Sequence, residues 1–303
     1  MNQSPHLLRV EDLTVVPPRR IGLWIATGIV VAALALLAWV IGTNKAFGWP
    51  IVGKYLFHPS IMRGLGNTLL LTVTIMVLAT VIGTIVAIMR LSPSKILQVF
   101  ANAYIWFFRG APALIQLIFW FNLAIIMPVI SLDLPGIGQI FSVRTNDVMT
   151  PFLTAVIALS LHEAGYMAEI IRAGITSVPP GQTEAASTLG MSRGKILRRI
   201  ILPQAMRFIV PPTGNEAINL MKATSLVTVI AVDDLLYSAQ TIYARTFETI
   251  PLLLVVAFWY LAVVTVMSVG QHFLERHFNR SDSQGGFRAA LRSAFSINRE
   301  GRA

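Results

Sequence analysis

Cysteine is absent from the 303 residues, so the chain can build neither a disulfide framework nor a thiolate metal site. Charge is scarce as well: Asp, Glu, Lys and Arg together make up 13% of residues, against about 25% in a soluble domain. That leaves too little polar surface for a water-soluble globule. Acid is the scarcer sign, with 14 Asp and Glu against 24 Lys and Arg, a net charge of +10. The arginines sit in short segments between apolar runs rather than on one face or among aromatics, which argues against a nucleic-acid partner. No internal repeat is visible, so an inverted-repeat carrier gains no support.

What is abundant is apolar sequence: 55% hydrophobic residues and a mean hydropathy of +0.68. Runs long enough to cross about 30 Å of hydrocarbon lie near residues 21–41, 65–89, 104–126, 151–175, 208–232 and 251–273. The expectation is an all-α polytopic membrane protein with six spans. The first run contains Trp24 and Trp39, is longer than a signal h-region and is followed by no A-x-A site, so it reads as a retained anchor. With the N-terminus inside, inner segments hold 18 Lys and Arg, among them Arg90, Arg109, Arg172 and Arg193. Outer segments hold five, Lys45, Lys54, Arg63, Arg144 and Arg245. The positive-inside rule therefore predicts N-in, C-in. Residues 127–150, with Pro128, Pro135, Gly136 and Gly138, read as an external connection. Residues 1–20 and 276–303 read as cytoplasmic tails, the second basic and solvated or touching anionic membrane lipid.

Residues 177–205, SVPPGQTEAASTLGMSRGKILRRIILPQA, lie on the basic side and read as two short helices joined by a turn. Pro179 and Pro180 suit a helix start, and Gly190 suits the left-handed residue that ends it. Ser192 can cap a second helix, expected to stop before Pro203. The first helix is expected to expose Glu184, Ala185 and Ala186, small side chains beside one charge, as a docking surface for another protein. Two similarities to catalytic motifs fail. Gly190, Gly194 and Lys195 are one residue short of a phosphate loop, with Ile196 where Ser or Thr would hold Mg²⁺. His162-Glu163 begins a zinc-protease motif, but Tyr166 stands where the second His is needed.

Glu184-Ala185-Ala186, three residues, Gly190, nine residues, then Ile200-Ile201-Leu202-Pro203 resembles the EAA loop of binding-protein-dependent ABC importer permeases. Further matches resemble the polar amino acid uptake branch: Gly66-Asn67-Thr68, Phe108-Arg109-Gly110-Ala111-Pro112, Tyr166-Met167-Ala168-Glu169, Gly214-Asn215-Glu216 and Lys222-Ala223-Thr224-Ser225-Leu226. Ala223, where the pattern carries a polar or acidic residue, and the His162-Glu163 pair depart from it. The resemblance implies a five-helix importer core over residues 65–275, with the coupling loop at 177–205 and an additional N-terminal helix at 21–43. It also implies a transport subunit that is not an enzyme, in a bacterial cytoplasmic membrane. Its partners would be a cytoplasmic ABC ATPase dimer that binds ATP and Mg²⁺, a second permease subunit, identical or paralogous, and an extracytoplasmic amino-acid-binding protein. This chain would hold no cofactor and no metal. Glu184, Ala185, Ala186, Gly190, Leu202 and Pro203 would couple to the ATPase. An ion-coupled carrier or channel working without an ATPase is the alternative.

Charges inside a span cost about 2.5 to 3.5 kcal/mol on insertion scales, so each should face a cavity or a partner. At 1.5 Å per residue, Glu163 lies about 18 Å from the outer end of its span and Glu216 about 12 to 15 Å from the inner end of the next. Glu163, Asn215, Glu216 and Asn219 are therefore candidates to meet the ammonium and carboxylate of an amino acid, or else to bond neighbouring helices. Lys222 and Ser225 lie nearer the outer end, where Lys222 would receive a carboxylate or snorkel to water. Glu169 and Arg172, three apart, can pair and brace the loop. Thr68, Thr72, Thr80 and Thr84 form a hydroxyl stripe best explained by helix packing.

Overall fold

The computed structural model describes residues 21–134 and 138–296. The tail expected at residues 1–20 and the last part of that at 276–303 lie outside the described residues. The chain divides into two units, residues 1–49 and 50–303. The first contains α1 (Ile21–Thr43), whose side chains are exposed from Gly22 to Val40, Trp24 and Trp39 included. A water-facing helix of that kind would be insoluble, so the exposed side chains describe a surface for lipid.

The second unit is a helical bundle. A short helix α2 (Trp49–Tyr55) precedes α3 (Pro59–Leu91), which His58 caps through its ring Nδ1. Next come α4 (Lys95–Gly110), α5 (Ala113–Phe121) and a single turn, α6 (Leu123–Ile126). The bundle continues with α7 (Thr145–Val148), α8 (Pro151–Thr176), α9 (Pro180–Thr188), α10 (Arg193–Ile196) and α11 (Leu202–Ala223). A 3-10 segment (Thr224–Ile230) leads to α12 (Leu235–Thr246) and α13 (Thr249–Ser296).

Three of the described helices are long and apolar enough to cross a membrane alone, Gly22–Thr43, Pro59–Leu91 and Thr249–Phe278. The crossing expected over residues 104–126 is not one straight helix. It is α4 and α5, bent by 99° at Ala111-Pro112. Pro112 lacks an N–H and disfavours a helical conformation in the residue before it, and Ala111 accordingly adopts an extended φ of −87° and ψ of 135°. The connection expected at 127–150 contains a hairpin, β1 (Val129–Leu134) antiparallel to β2 (Gly138–Arg144), with a register shift after Leu132.

The long helix α8 occupies the centre and packs most extensively against α3. Their axes approach closely at Gly83, where a Cβ would stand 2.6 Å from that of Met167, and Ala79, Ala87, Ala164 and Met167 fill the contact. Leu71, Ile75, Leu117, Ala155 and Leu159 form a second apolar layer with α5. The Gly66-Asn67-Thr68 motif fastens α3 to the start of α12: Asn67 Nδ2 donates to the Asp233 carbonyl at 2.7 Å, and the Leu235 N–H donates to Thr68 Oγ1 at 3.0 Å. Asp234, buried, caps α12 by accepting from the Tyr237 N–H at 2.8 Å.

Candidate docking loop and translocation face

The loop between α8 and α11 is built locally. Ser177 closes α8 by donating to the Gly174 carbonyl at 2.7 Å, and Val178 is buried beneath the turn. Pro180 then starts α9, and Gly190 ends it with φ +74°, the left-handed conformation that disfavours a Cβ. The Gly190 N–H donates to the Ser187 carbonyl at 2.9 Å and the Met191 N–H to that of Ala186 at 3.2 Å. Glu184 and Ala185 are exposed. Ala186 is not: it is 3% exposed, because the chain folds back through Met191 onto that side of α9. The expectation of three outward residues is corrected to two.

The second helix does not stop before Pro203. Residues Leu197–Ile201 form a π turn, in which the Leu202 N–H reaches the Leu197 carbonyl, and the helix continues as α11. Proline has no N–H to give and its ring clashes with the carbonyl four residues back. A π turn widens the ring of bonds ahead of it and lets the helix run on. Gln204 Nε2 donates to Gln182 Oε1 at 2.6 Å, tying α9 to the first turn of α11. Leu202 and Pro203 are exposed. A displacement of α9 thus has a direct mechanical path into α11.

Glu163 is 6% exposed on α8, and its Oε1 has no hydrogen-bond partner. The same holds for Ser160 Oγ, about one turn earlier on the helix, and for Gln116 Oε1 on α5. Gln116 Nε2 contacts His162 Nδ1 at 3.1 Å and donates to the Phe108 and Ala111 carbonyls at 2.9 Å each, so this amide holds the α4–α5 bend against α8. Glu216 on α11 is half-buried. Asn215, Asn219 and Lys222 are exposed at i, i+4 and i+7, one polar stripe on α11. Ser225 lies apart from this stripe, its hydroxyl donating to the Lys222 carbonyl at 2.8 Å. The predicted pathway residues therefore divide into two acids inside the bundle, Glu163 on α8 and Glu216 on α11, and an open stripe on α11. Ser160 and Gln116, which the sequence did not single out, share with Glu163 a buried oxygen without a partner.

Arg172 donates through Nε and Nη2 to Glu169 Oε2 at 3.1 and 2.9 Å, the i,i+3 pair expected from spacing. Glu169 also pairs with Arg90 at the end of α3, a partner too distant in sequence to be read from it. Arg109 lies 5.0 Å over the Tyr166 ring. Among the described residues no group of three or more His, Cys, Asp or Glu could hold a metal ion.

Residues 79–280 match the family of binding-protein-dependent transport system inner membrane components. The chain belongs to this family. It is 42% identical over 290 residues to the arginine transport system permease protein ArgU of Corynebacterium glutamicum, covering 94% of this chain and 89% of that one. It is 37% identical to the L-cystine transport system permease protein TcyB of Bacillus subtilis, covering 81% and 96%. A solved amino acid ABC transporter crystallised with histidines superposes with a TM-score of 0.64 at 31% identity, covering 75% of this chain and 98% of that one. A methionine ABC transporter in an inward-facing conformation shares the fold at 18% identity and a TM-score of 0.59. The permease is thus a multi-pass inner-membrane subunit of an amino acid ABC importer.

Proposed function

We propose that the permease crosses the membrane six times with both termini inside, pairs with a second permease subunit along the α11 stripe, and is driven by an ATPase dimer that docks on α9. ATP and Mg²⁺ belong to that ATPase, and an extracytoplasmic binding protein delivers the amino acid. The observation that carries the reading is the docking loop: a short helix presenting Glu184 and Ala185, stopped by Gly190 at φ +74° and bonded to α11 through Gln182 and Gln204. Closure of the ATPase pair would move α9, and the continuous helix through Pro203 would carry that movement to Asn215, Glu216 and Asn219.

The test is reconstitution with and without the ATPase and binding protein, reading labelled amino acid uptake. Uptake by the permease alone, independent of nucleotide, would establish the carrier or channel instead. Glu184→Lys is expected to remove ATPase co-purification while membrane insertion persists.

These acids favour a cationic amino acid. A buried carboxylate such as Glu163, with no donor to its Oε1, is costly to ionise unless a cation reaches it. The relative named for arginine transport agrees with this preference. Arginine and lysine are expected to compete for uptake and glutamate is not. Equal competition by glutamate would remove the preference.

A further inference from the structure

Behind the docking helix lies a cleft of about 730 Å³ that the coupling mechanism does not use. Its walls are largely apolar: Ile88 and Leu91 from the end of α3, Ile175 from the end of α8, and Ile196, Leu197 and Ile201 from the α10–α11 run. The remaining wall is α9 itself, through Thr183 and Ser187. These lie one turn apart, and Glu184 and Ala185 point elsewhere, to the exposed surface. One helix therefore presents one face to the docking partner and another to the cleft.

Depth identifies the surroundings. The cleft meets α3 at its last turn, where Ile88 is 57% exposed after a 33-residue apolar helix. It meets α8 at its last residues. On the topology proposed above, this is the level at which inner-leaflet acyl chains give way to head groups. An apolar cleft opening there is not filled with water at no cost, because its lining would lose both lipid and protein contact. The one charged residue on the cleft is Arg193. It is exposed and, among the described residues, forms no ion pair. Lys195, Arg198 and Arg199 surround an adjoining pocket on the other side of the same helical run. The α10–α11 junction is thus amphipathic, with an apolar stripe at 196, 197 and 201 and basic residues around it, a pattern suited to an anionic interface.

We propose that this cleft binds an anionic phospholipid of the inner leaflet, with an acyl chain against Ile88, Ile175 and Ile196 and the phosphate at Arg193. The bound lipid braces α9 from behind, so that the position of the docking helix depends on the membrane as well as on the ATPase. The proposal rests on the inner-side placement of the loop but not on which partner docks there.

The test uses the purified permease–ATPase complex in nanodiscs of phosphatidylcholine with or without phosphatidylglycerol, with retained lipid read by native mass spectrometry. Wild type is expected to retain phosphatidylglycerol in preference to phosphatidylcholine. Ile88→Trp and Ser187→Trp, which fill the cleft from its exposed rim rather than from the core, are expected to lose it while remaining monodisperse. Arg193→Gln is expected to retain lipid but lose the head-group preference. Glu184→Lys separates the two readings: loss of the ATPase with lipid retained supports both. If that variant keeps the ATPase and the lipid, the docking assignment fails and the lipid site stands. Equal retention of the two lipids by wild type, or undiminished phosphatidylglycerol in both tryptophan variants, would overturn the lipid site. So would retention only when the ATPase is absent, which would make the cleft a protein contact.

Discussion

The helices α3 and α8 pack against each other along most of their length, yet they treat their polar side chains in opposite ways. On α3, Thr72, Thr80 and Thr84 each donate to the carbonyl four residues back at 2.7 or 2.8 Å, so their hydroxyls are satisfied within the helix. On α8, Thr154 Oγ1, Ser160 Oγ and Glu163 Oε1 are buried without a partner. Both helices are hydrophobic enough to pass for packing elements in a sequence scan. On the proposed function the difference would separate their tasks, with α3 as the wall and α8, with its unpaired groups, on the pathway. A buried polar group left unpaired costs about 1–3 kcal/mol, so these atoms are where substitutions can separate a structural from a transport role.

The contrast breaks most completely if the two helices cannot meet. A side chain at Gly83 would collide with Met167 and with the backbone at Ala164 and Ala168, the last two 3.0 Å from its Cβ. Gly83→Leu is expected to cost about 3 kcal/mol or more and to abolish recovery of folded permease from membranes. Normal yield and thermal stability would show that α3 and α8 are less tightly joined than their contacts indicate.

The second largest effect is expected at Glu163. Glu163→Gln keeps the shape of the side chain and removes its capacity to carry a charge in a buried position. Thermal stability should hold or rise while uptake falls by about tenfold or more, the worth of a hydrogen bond to a charged group. A joint loss of stability and uptake would make Glu163 structural. Ser160→Ala sharpens the same point at smaller scale. Removing a hydroxyl that bonds nothing should stabilise by about 1 kcal/mol, and a fall in uptake despite that gain would mark the hydroxyl as a contact for cargo.

The sequence carried local geometry well. The bounds of the first helix, the left-handed Gly190 and the Glu169–Arg172 pair all depend on residues within a turn or two of one another, and all three appear in the structure. What it could not carry was the result of competition between distant segments. Ala186 is covered because the chain returns through Met191, and Pro203 is absorbed by a π turn because the helix has a buried continuation at Ala205 and Ile209 to reach. Pro112 and Gly110 did advertise a break, and the Pro135-Gly136 dipeptide between alternating runs advertised the hairpin. The first was outweighed by overall hydrophobicity, and the second was read only as part of an external connection. The partners of Thr68, Asn67 and Arg90 were invisible for a different reason: nothing in a local pattern selects Leu235, Asp233 or Glu169 over other donors and acceptors. For the translocation face, depth along each span was legible in the sequence, and depth found Glu163 and Glu216. It did not separate self-satisfied hydroxyls from stranded ones, which is why Ser160 was passed over.

That separation has its most delicate test on α3. The stripe at Thr80 and Thr84 has the look of a hydrophilic track, and a transport role would make it as sensitive as α8. The geometry says otherwise. Thr84 Oγ1 donates at 2.7 Å to the Thr80 carbonyl, an acceptor the helix already uses, so the bond adds little. Valine matches threonine in shape and shares its stiff, branched side chain. Thr84→Val should therefore change stability by no more than about 0.5 kcal/mol and leave uptake unaltered, in contrast to Ser160→Ala one helix away. If the valine variant instead loses uptake at normal stability and abundance, the hydroxyls of α3 face the cargo too, and the division between wall and pathway must be redrawn around both helices.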